Sequence, residues 1–275
     1  MVKLTAIQLT STPNVNANLS YIEQQLSTLV YSDNHLVVLP ECCLFFGGKD
    51  AEQLALAKET YANNTLVKRL SALAKKYTVN LVAGSIPFYQ PDNDKFTNSS
   101  CAFLSTGEQV AQYDKIHLFD VNVDDSEKNY RESRYTQAGN DPVTANIKQL
   151  NVGLTICYDL RFPELYRQLT TLGAQIITVP SAFTKVTGQA HWEALLRARA
   201  IENQVYIVAA GQQGQHENGR ETWGHSMIIS PWGEILACKK EGQGAISVDV
   251  CLTEISKIRT AIPVAEHNRF ITTLK

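Results

Sequence analysis

A chain of 275 residues, 44% hydrophobic and 19% charged, can bury a large core, and α/β folds of this length commonly form one unit, so residues 1–275 read as a single domain. A formal net charge of −2 gives no electrostatic reason to expect nucleic acid or a membrane surface as partner, and no apolar run approaches the roughly 18 residues that span a bilayer. Six cysteines without a C-x-x-C pair, and an N-terminus with neither a basic region nor an apolar signal segment, point to a reducing compartment, taken as the cytoplasm, and away from a disulfide framework or structural zinc.

In chain order, residues 2–9 form an apolar, strand-like run, and 15–29 carry Leu19, Ile22, Leu26 and Leu29 at helical spacing. Residues 36–39 read as a buried strand. A second amphipathic helix fits 65–76, with Leu66, Leu70, Leu73 and Ala74 on one face, and 79–86 reads as a strand. Residues 99–104 and 108–113 bracket Ser105-Thr106-Gly107, the punctuation of a hairpin. From 120 to 140 the chain is polar and irregular, with Asp124, Asp125, Glu127 and Lys128 clustered, and reads as a long surface loop. Loops beyond about 12–15 residues in compact domains are usually functional or disordered. The second half repeats the theme: strand 151–157, helix 162–172 ended by Gly173, strand 176–179, a long helix 189–203 and strand 205–210. Two strands, 226–230 and 234–238, flank Pro231-Trp232-Gly233, and 245–250 is the last strand. Each half thus has a strand, a helix and a buried strand ending in proline (Pro40, Pro180), and such βαβ units imply parallel strands with right-handed crossovers. The pattern by itself gives an α/β protein with a mixed sheet.

Three reactive residues end or closely follow strand-like runs: Glu41 after 35–40, Lys115 at the end of 108–115, and Cys157 at the end of 151–157. In open α/β sheets, ligands and catalytic groups sit outside the carboxyl ends of strands, so the three read as one site. A buried carboxylate, a cation and a thiol are what amide cleavage needs in the absence of a histidine base.

The segments P-E-C-C-L-F-F-G-G from Pro40, Y-D-K-I-H-L-F-D from Tyr113 and G-L-T-I-C-Y-D-L-R-F-P-E-L-Y-R from Gly153 resemble the three catalytic blocks of the nitrilase superfamily, the carbon–nitrogen hydrolases with a Glu-Lys-Cys triad. The resemblance runs from V-K-L-T-A-I-Q-L at Val2 to P-V-A-E-H-N-R-F at Pro263. T-G-Q-A-H-W-E-A-L-L-R-A-R-A-I-E-N-Q from Thr187, A-A-G-Q-Q-G-Q-H from Ala209 and R-E-T-W-G-H-S-M-I-I-S-P-W-G from Arg220 look most like the deaminated-glutathione amidase branch. The ω-amidases, which cleave 2-oxoglutaramate, are close neighbours sharing the A-H-W-E block. The chain departs from the pattern at Cys42 and Cys43, where many relatives carry other small residues, and at Ser230, where Asp is usual. The resemblance implies a four-layer α-β-β-α sandwich with two mixed sheets and a small-molecule amide substrate cleaved through a thioester. It also implies no metal, no organic cofactor, and a homodimer.

Each residue also has a plainer reading. Free cysteine is usually a small buried hydrophobe. The strand–turn–helix context of Cys157, with Pro163 and Glu164 suited to a first helical turn, favours a nucleophile instead, and a thiol near a helix N-terminus has its pKa lowered. Glu41 lies between L-V-V-L-P and C-C-L-F-F, an apolar setting in which burial strengthens a carboxylate as a base. Lys115, otherwise a solvated lysine, would stabilise the oxyanion, with the backbone N–H of Tyr158 as second donor. Glu132 reads by itself as a solvated loop residue. The resemblance makes it a second catalytic glutamate, with Asp124, Asp125 and Glu127 as competing candidates.

Arg161 pairs either with Asp159 or Glu164 or, as the resemblance implies, with a substrate carboxylate through its planar fork. Phe183 and Thr187 line the pocket by the same resemblance. His191-Trp192-Glu193 reads as a helix start, and Arg197 and Arg199 read as members of buried ion pairs. The segment from Trp223 to Trp232 reads as structural, its aromatics filling core or a subunit interface. The histidines lack metal spacing, and no dinucleotide fingerprint or P-loop is present. Two rivals remain: an ω-amidase, and a catalytically inactive relative kept as a binding or scaffold protein.

Overall fold

The computed structural model describes residues 1–30, 32–124 and 129–274. The apolar runs of the first half become β1 (Val2–Gln8), β2 (His35–Val38), β3 (Asn80–Val82), β4 (Ile86–Gln90), β5 (Lys95–Phe103) and β6 (Gln109–Asp114). With the last strand, β17 (Gly244–Val250), they form a seven-stranded sheet ordered β17-β1-β2-β3-β5-β4, with β6 paired to β5. β1, β2 and β3 run parallel, with Leu4 opposite Leu36 and Leu36 opposite Asn80, whereas β17 and β5 are antiparallel to their neighbours. These strands read as continuous apolar runs because both faces are covered. Ile7, Val37 and Leu81 face one core with Leu19, Ile22 and Leu26 of α1 (Val15–Ser27). Two turns of chemistry fix that helix: Asn14 caps its first turn by accepting the Ala17 N–H, and its apolar stripe turns inward.

α2 (Asp50–Tyr61) buries only Ala57 among its residues, which is why no apolar period announced it. α3 (Thr65–Tyr77) buries the four expected residues Leu66, Leu70, Leu73 and Ala74 against the same core. Within the stretch 120–140 expected as an irregular loop, β7 (Asp120–Asn122) and β8 (Asn129–Arg131) pair as a ribbon, followed by a 3-10 turn over Glu132–Arg134, while 135–140 stay irregular. Asp124 is exposed there, while Asp125, Glu127 and Lys128 lie outside the described residues.

The second sheet is built from β9 (Thr144–Ile147), β10 (Leu150–Leu154), β11 (Ile176–Ser181) and β12 (Tyr206–Gly211), continued by β15 (Ser226–Ile229) and β16 (Ile235–Lys239). Its order is β16-β15-β12-β11-β10-β9, with β10, β11 and β12 parallel. α4 (Pro163–Thr171) and α5 (Lys185–Asn203) cover it with Leu165, Tyr166 and Leu169 and with Trp192, Leu196 and Ala200. Leu4, Ala6, Leu36, Val38 and Val82, the opposite face of the first sheet, join the core of the second. The result is the four-layer α-β-β-α sandwich. A second ribbon, β13 (Gln213–Gln215) with β14 (Glu221–Trp223), and the C-terminal helices α6 (Thr253–Ala261) and α7 (Val264–His267) complete the fold.

Several expectations shift. The run 79–86 is not one strand: β3 ends at Val82 and β4 begins at Ile86, separated by Gly84 at φ +53°. A Cβ on Gly84 would meet the carbonyl oxygen of Pro40 at 1.9 Å, so only glycine lets this turn press against the residue before Glu41. The strand 151–157 stops at Leu154, leaving Cys157 in a turn. His191 lies inside α5, whose first residue is Lys185. Arg199 is buried, donating to the Leu160 carbonyl oxygen and pairing with Glu202, but Arg197 is half-exposed, as is its partner Glu193 at 3.6 Å. Trp232 is exposed.

Candidate active site

Glu41 follows β2, Lys115 follows β6, and Cys157 follows β10, all at carboxyl ends, and stacking of the two sheets brings the three together with Glu132. Cys157 opens a 3-10 turn over Cys157–Arg161 at φ +49°, a left-handed conformation that a non-glycine residue holds only when its surroundings fix it.

Lys115 is the electrostatic centre. Its Nζ lies 2.9 Å from Glu41 Oε1, 2.9 Å from Glu132 Oε2 and 3.1 Å from Glu132 Oε1. Asn98 Nδ2 donates to Glu41 Oε1 at 3.0 Å and to Glu132 Oε1 at 3.4 Å. The Ala182 N–H donates to Glu41 Oε2 at 2.9 Å, and the Phe119 N–H to Glu132 Oε2 at 2.6 Å. Gln212 Nε2 holds the Glu41 carbonyl oxygen at 3.0 Å. Both carboxylates are therefore oriented by donors on both oxygens.

Burial opposes the charge on Lys115, but Glu132, Glu41 and Cys157 outweigh it and hold the ammonium well above the ordinary lysine range. Burial pushes Glu132 above the usual carboxylate range, Lys115 counters it, and the charge on Glu41 adds to the rise. Burial and then the Glu41 carboxylate push the Cys157 thiol well above its ordinary value, with Lys115 acting in the opposite direction. The sequence suggested a lowered thiol pKa. The turn after Cys157 is 3-10, and α4 begins only at Pro163, so solvent exclusion and Glu41 dominate. A thiol whose pKa is raised in this way, beside the hydrogen-bonded Glu41 side chain, suits proton transfer as the sulfur attacks rather than a preformed thiolate.

A second network ties the nucleophile turn to the lysine strand. Asp159, fully buried, accepts from Tyr113 Oη at 2.7 Å, the Ile156 N–H at 2.8 Å, His117 Nδ1 at 2.7 Å and the His117 N–H at 3.2 Å. The His117 ring stacks on Phe162 at 3.7 Å. Arg161 does not pair with Asp159. Its guanidinium lies 5.2 Å from the Phe183 ring and 6.0 Å from that of Tyr158, with Nη1 3.3 Å from His191 Nδ1.

An open-mouthed cavity lies above Cys157. Glu41, Lys115, Glu132, Cys157, Tyr158, Phe183 and Thr187 all line it; Arg161 is not among the lining residues, but its guanidinium lies against Tyr158 and Phe183, which are. Cys42, at φ +53°, also faces it and accepts from Gln53 Nε2 at 3.4 Å, while Cys43 is packed away behind. Sequence reasoning missed Asn98, Asp159 and Arg220. The buried polar run Thr97-Asn98-Ser99-Ser100 within a strand was a usable signal for the first. Asp159 was visible only as a neighbour of the nucleophile. Among the described residues no group of three or more His, Cys, Asp or Glu side chains is placed to hold a metal ion, and no helix is long and apolar enough to cross a membrane.

A sandwich of this topology with a buried thiol, carboxylate and ammonium at its strand ends agrees with the sequence comparison: the match to the Carbon-nitrogen hydrolase family spans residues 3–260, and the chain belongs to that family. It is 44% identical over 269 residues to the deaminated glutathione amidase of Yersinia enterocolitica, covering 98% of this chain and 93% of that protein. Among solved structures, Nit3 of Saccharomyces cerevisiae, described as a member of branch 10 of the nitrilase superfamily, superposes with a TM-score of 0.85 at 33% identity, covering 98% of this chain and 97% of that one. The NitFhit protein of Caenorhabditis elegans gives a TM-score of 0.91 at 34% identity, over all of this chain and 67% of that one.

Proposed function

We propose that this chain hydrolyses deaminated glutathione to 2-oxoglutarate and cysteinylglycine, a metabolite-repair reaction, through a thioester on Cys157. Glu41 takes the Cys157 proton as the sulfur attacks the γ-amide carbonyl carbon. Lys115 and the Tyr158 backbone N–H hold the oxyanion of the tetrahedral intermediate. The C–N bond then breaks, and the amine of cysteinylglycine leaves with the proton returned by Glu41. Water, deprotonated by the same carboxylate, attacks the thioester, releasing 2-oxoglutarate and restoring the thiol. Glu132 keeps Lys115 charged and aimed, and Arg161 acts on the carboxylate beside the keto group. Phe183 and Thr187 shape the pocket. No metal or organic cofactor enters these steps.

The observation that carries the reading is the Glu41 carboxylate, tied on both oxygens by Lys115, Asn98 and Ala182, beside the buried Cys157 thiol. The names of the relatives support the choice of substrate. This arrangement argues against an inactive scaffold. Free cysteines, four of them buried, support a reducing compartment, taken as the cytoplasm. Exposed Ile201 of α5 and exposed Trp232, in the turn between β15 and β16, support a homodimer, which light scattering would test.

The decisive experiment is a mass-spectrometric panel of deaminated glutathione, 2-oxoglutaramate and simple amides, with Cys157→Ala as control. Deaminated glutathione should be the preferred substrate, with an acyl adduct on Cys157 alone. A strong preference for 2-oxoglutaramate would make the chain an ω-amidase. Turnover by Cys157→Ala, or an adduct on Cys42 or Cys43, would remove Cys157 as nucleophile.

A further inference from the structure

The cavity has a second end. From the nucleophile turn, the Tyr158 ring contacts Phe119 at 5.1 Å, and Phe119 contacts Tyr130 at 5.0 Å. The guanidinium of Arg161 lies 6.0 Å from the first ring of this row, and that of Arg220 lies 5.3 Å from the last. Arg220 lines the cavity and is half-buried, its side chain 22% exposed, with Asp50 Oδ1 3.5 Å from Nη2.

Its backbone is held in place. The Arg220 carbonyl accepts from the His216 N–H at 2.9 Å, and the Arg220 N–H donates to Asn218 Oδ1 at 3.1 Å. Asn218 Nδ2 in turn bonds the Gly48 carbonyl oxygen at 3.2 Å. His216 is buried, with its ring against the Ser11 carbonyl oxygen and Thr222 Oγ1. The loop backbone is thus fixed, and the guanidinium it carries lies against Tyr130 and pairs with Asp50 at the cavity wall. Arg131, which also lines the cavity, is exposed and donates Nη1 to the Tyr130 carbonyl oxygen.

We propose that Arg220 binds the terminal carboxylate of a peptide leaving group and so selects amides of carboxylated peptides over amides that release ammonia. The proposal rests on the substrate reading above. Deaminated glutathione carries a carboxylate at each end with its scissile amide between them, which matches arginines at the two ends of an aromatic row that begins beside Cys157. 2-Oxoglutaramate carries one carboxylate and has no use for Arg220. An arginine engages a carboxylate through two parallel hydrogen bonds, and the stacked, tethered geometry reduces the ordering cost of forming them.

The test measures kcat/KM of wild type, Arg220→Gln and Arg220→Lys on three substrates: deaminated glutathione, the same compound with a C-terminal carboxamide, and 2-oxoglutaramate. The wild type should prefer the free acid over the carboxamide by about tenfold or more, the size of one charge-assisted contact. In Arg220→Gln that ratio should fall towards one, mainly through KM for the free acid, and Arg220→Lys should lie between. Turnover of 2-oxoglutaramate reports folding of each variant. A wild type indifferent to the carboxamide, or an Arg220→Gln loss equal on all three substrates, would overturn the assignment. Cleavage of 2-oxoglutaramate without cleavage of deaminated glutathione would overturn the substrate reading, and this proposal with it.

Discussion

Replacing Lys115 with methionine removes the ammonium that Glu41 and Glu132 share while keeping a side chain of similar length. The three side chains are 2%, 7% and 18% exposed, so water screens the change little. Taking one partner from a buried pair costs about 3–5 kcal/mol because a charge is left uncompensated. At about 2–4 °C per kcal/mol for a protein of this size, the melting temperature should fall by roughly 6–20 °C at neutral pH. Asn98, the Phe119 N–H and the Ala182 N–H still contact the carboxylates, which favours the lower half of that range.

The deficit should also depend on pH with a definite sign. The folded-state pKa of Glu132 is raised already, and loss of Lys115 raises it further. A carboxyl group with a raised folded pKa contributes stability that is present below its unfolded value and lost as pH rises through the folded value. The Lys115→Met deficit should therefore be smaller near about pH 4, below the raised Glu132 value, and grow towards neutrality. Thermal unfolding followed by circular dichroism at several pH values, on wild type, Lys115→Met and Lys115→Met/Glu132→Gln, measures this. The double variant should recover part of the loss at neutral pH. A Lys115→Met protein as stable as wild type at neutral pH, or one whose deficit grows as pH falls, would refute the charge-sharing account. Amide turnover should be lost in either case, because the oxyanion has lost its cation.

Glu41→Gln should abolish hydrolysis and yet move the pH profile of Cys157 alkylation by iodoacetamide to lower pH, since the carboxylate that raises the thiol is gone; an unmoved profile would dissociate the two groups. In wild type the alkylation rate should still be climbing above about pH 9, past the ordinary thiol value. Asp159→Asn places an NH2 group against the N–H of Ile156 or His117; a buried donor left unsatisfied costs about 1–3 kcal/mol. It should lower both melting temperature and kcat with KM little changed, and an unaffected kcat would remove Asp159 from positioning the nucleophile turn. Arg161→Lys should raise KM for substrates with a carboxylate next to the keto group and leave an amide lacking that carboxylate nearly unaffected; equal losses on both would reduce Arg161 to a brace for the turn.

The sequence by itself determined the alternation of strands and helices, the apolar faces of α1 and α3, and the three strand ends that carry Glu41, Lys115 and Cys157. Those features are local: periodicity, punctuation and motif order are written along the chain. It could not show α2, which buries one small residue and has no apolar stripe, nor the break at Gly84, whose reason is the Pro40 carbonyl 1.9 Å from a position that no Cβ occupies. Glu132 looked like a solvated loop residue because its partial burial comes from Lys115, Asn98 and Phe119, distant in sequence or brought close only by the pairing of β7 with β8. The direction of the Cys157 pKa was likewise a tertiary matter. The sequence placed a helix start downstream, which would lower it, but stacking of the two sheets excludes water and sets Glu41 beside the sulfur. Desolvation and a neighbouring charge then outweigh a helix terminus six residues away, and that balance exists only once the sheets have met.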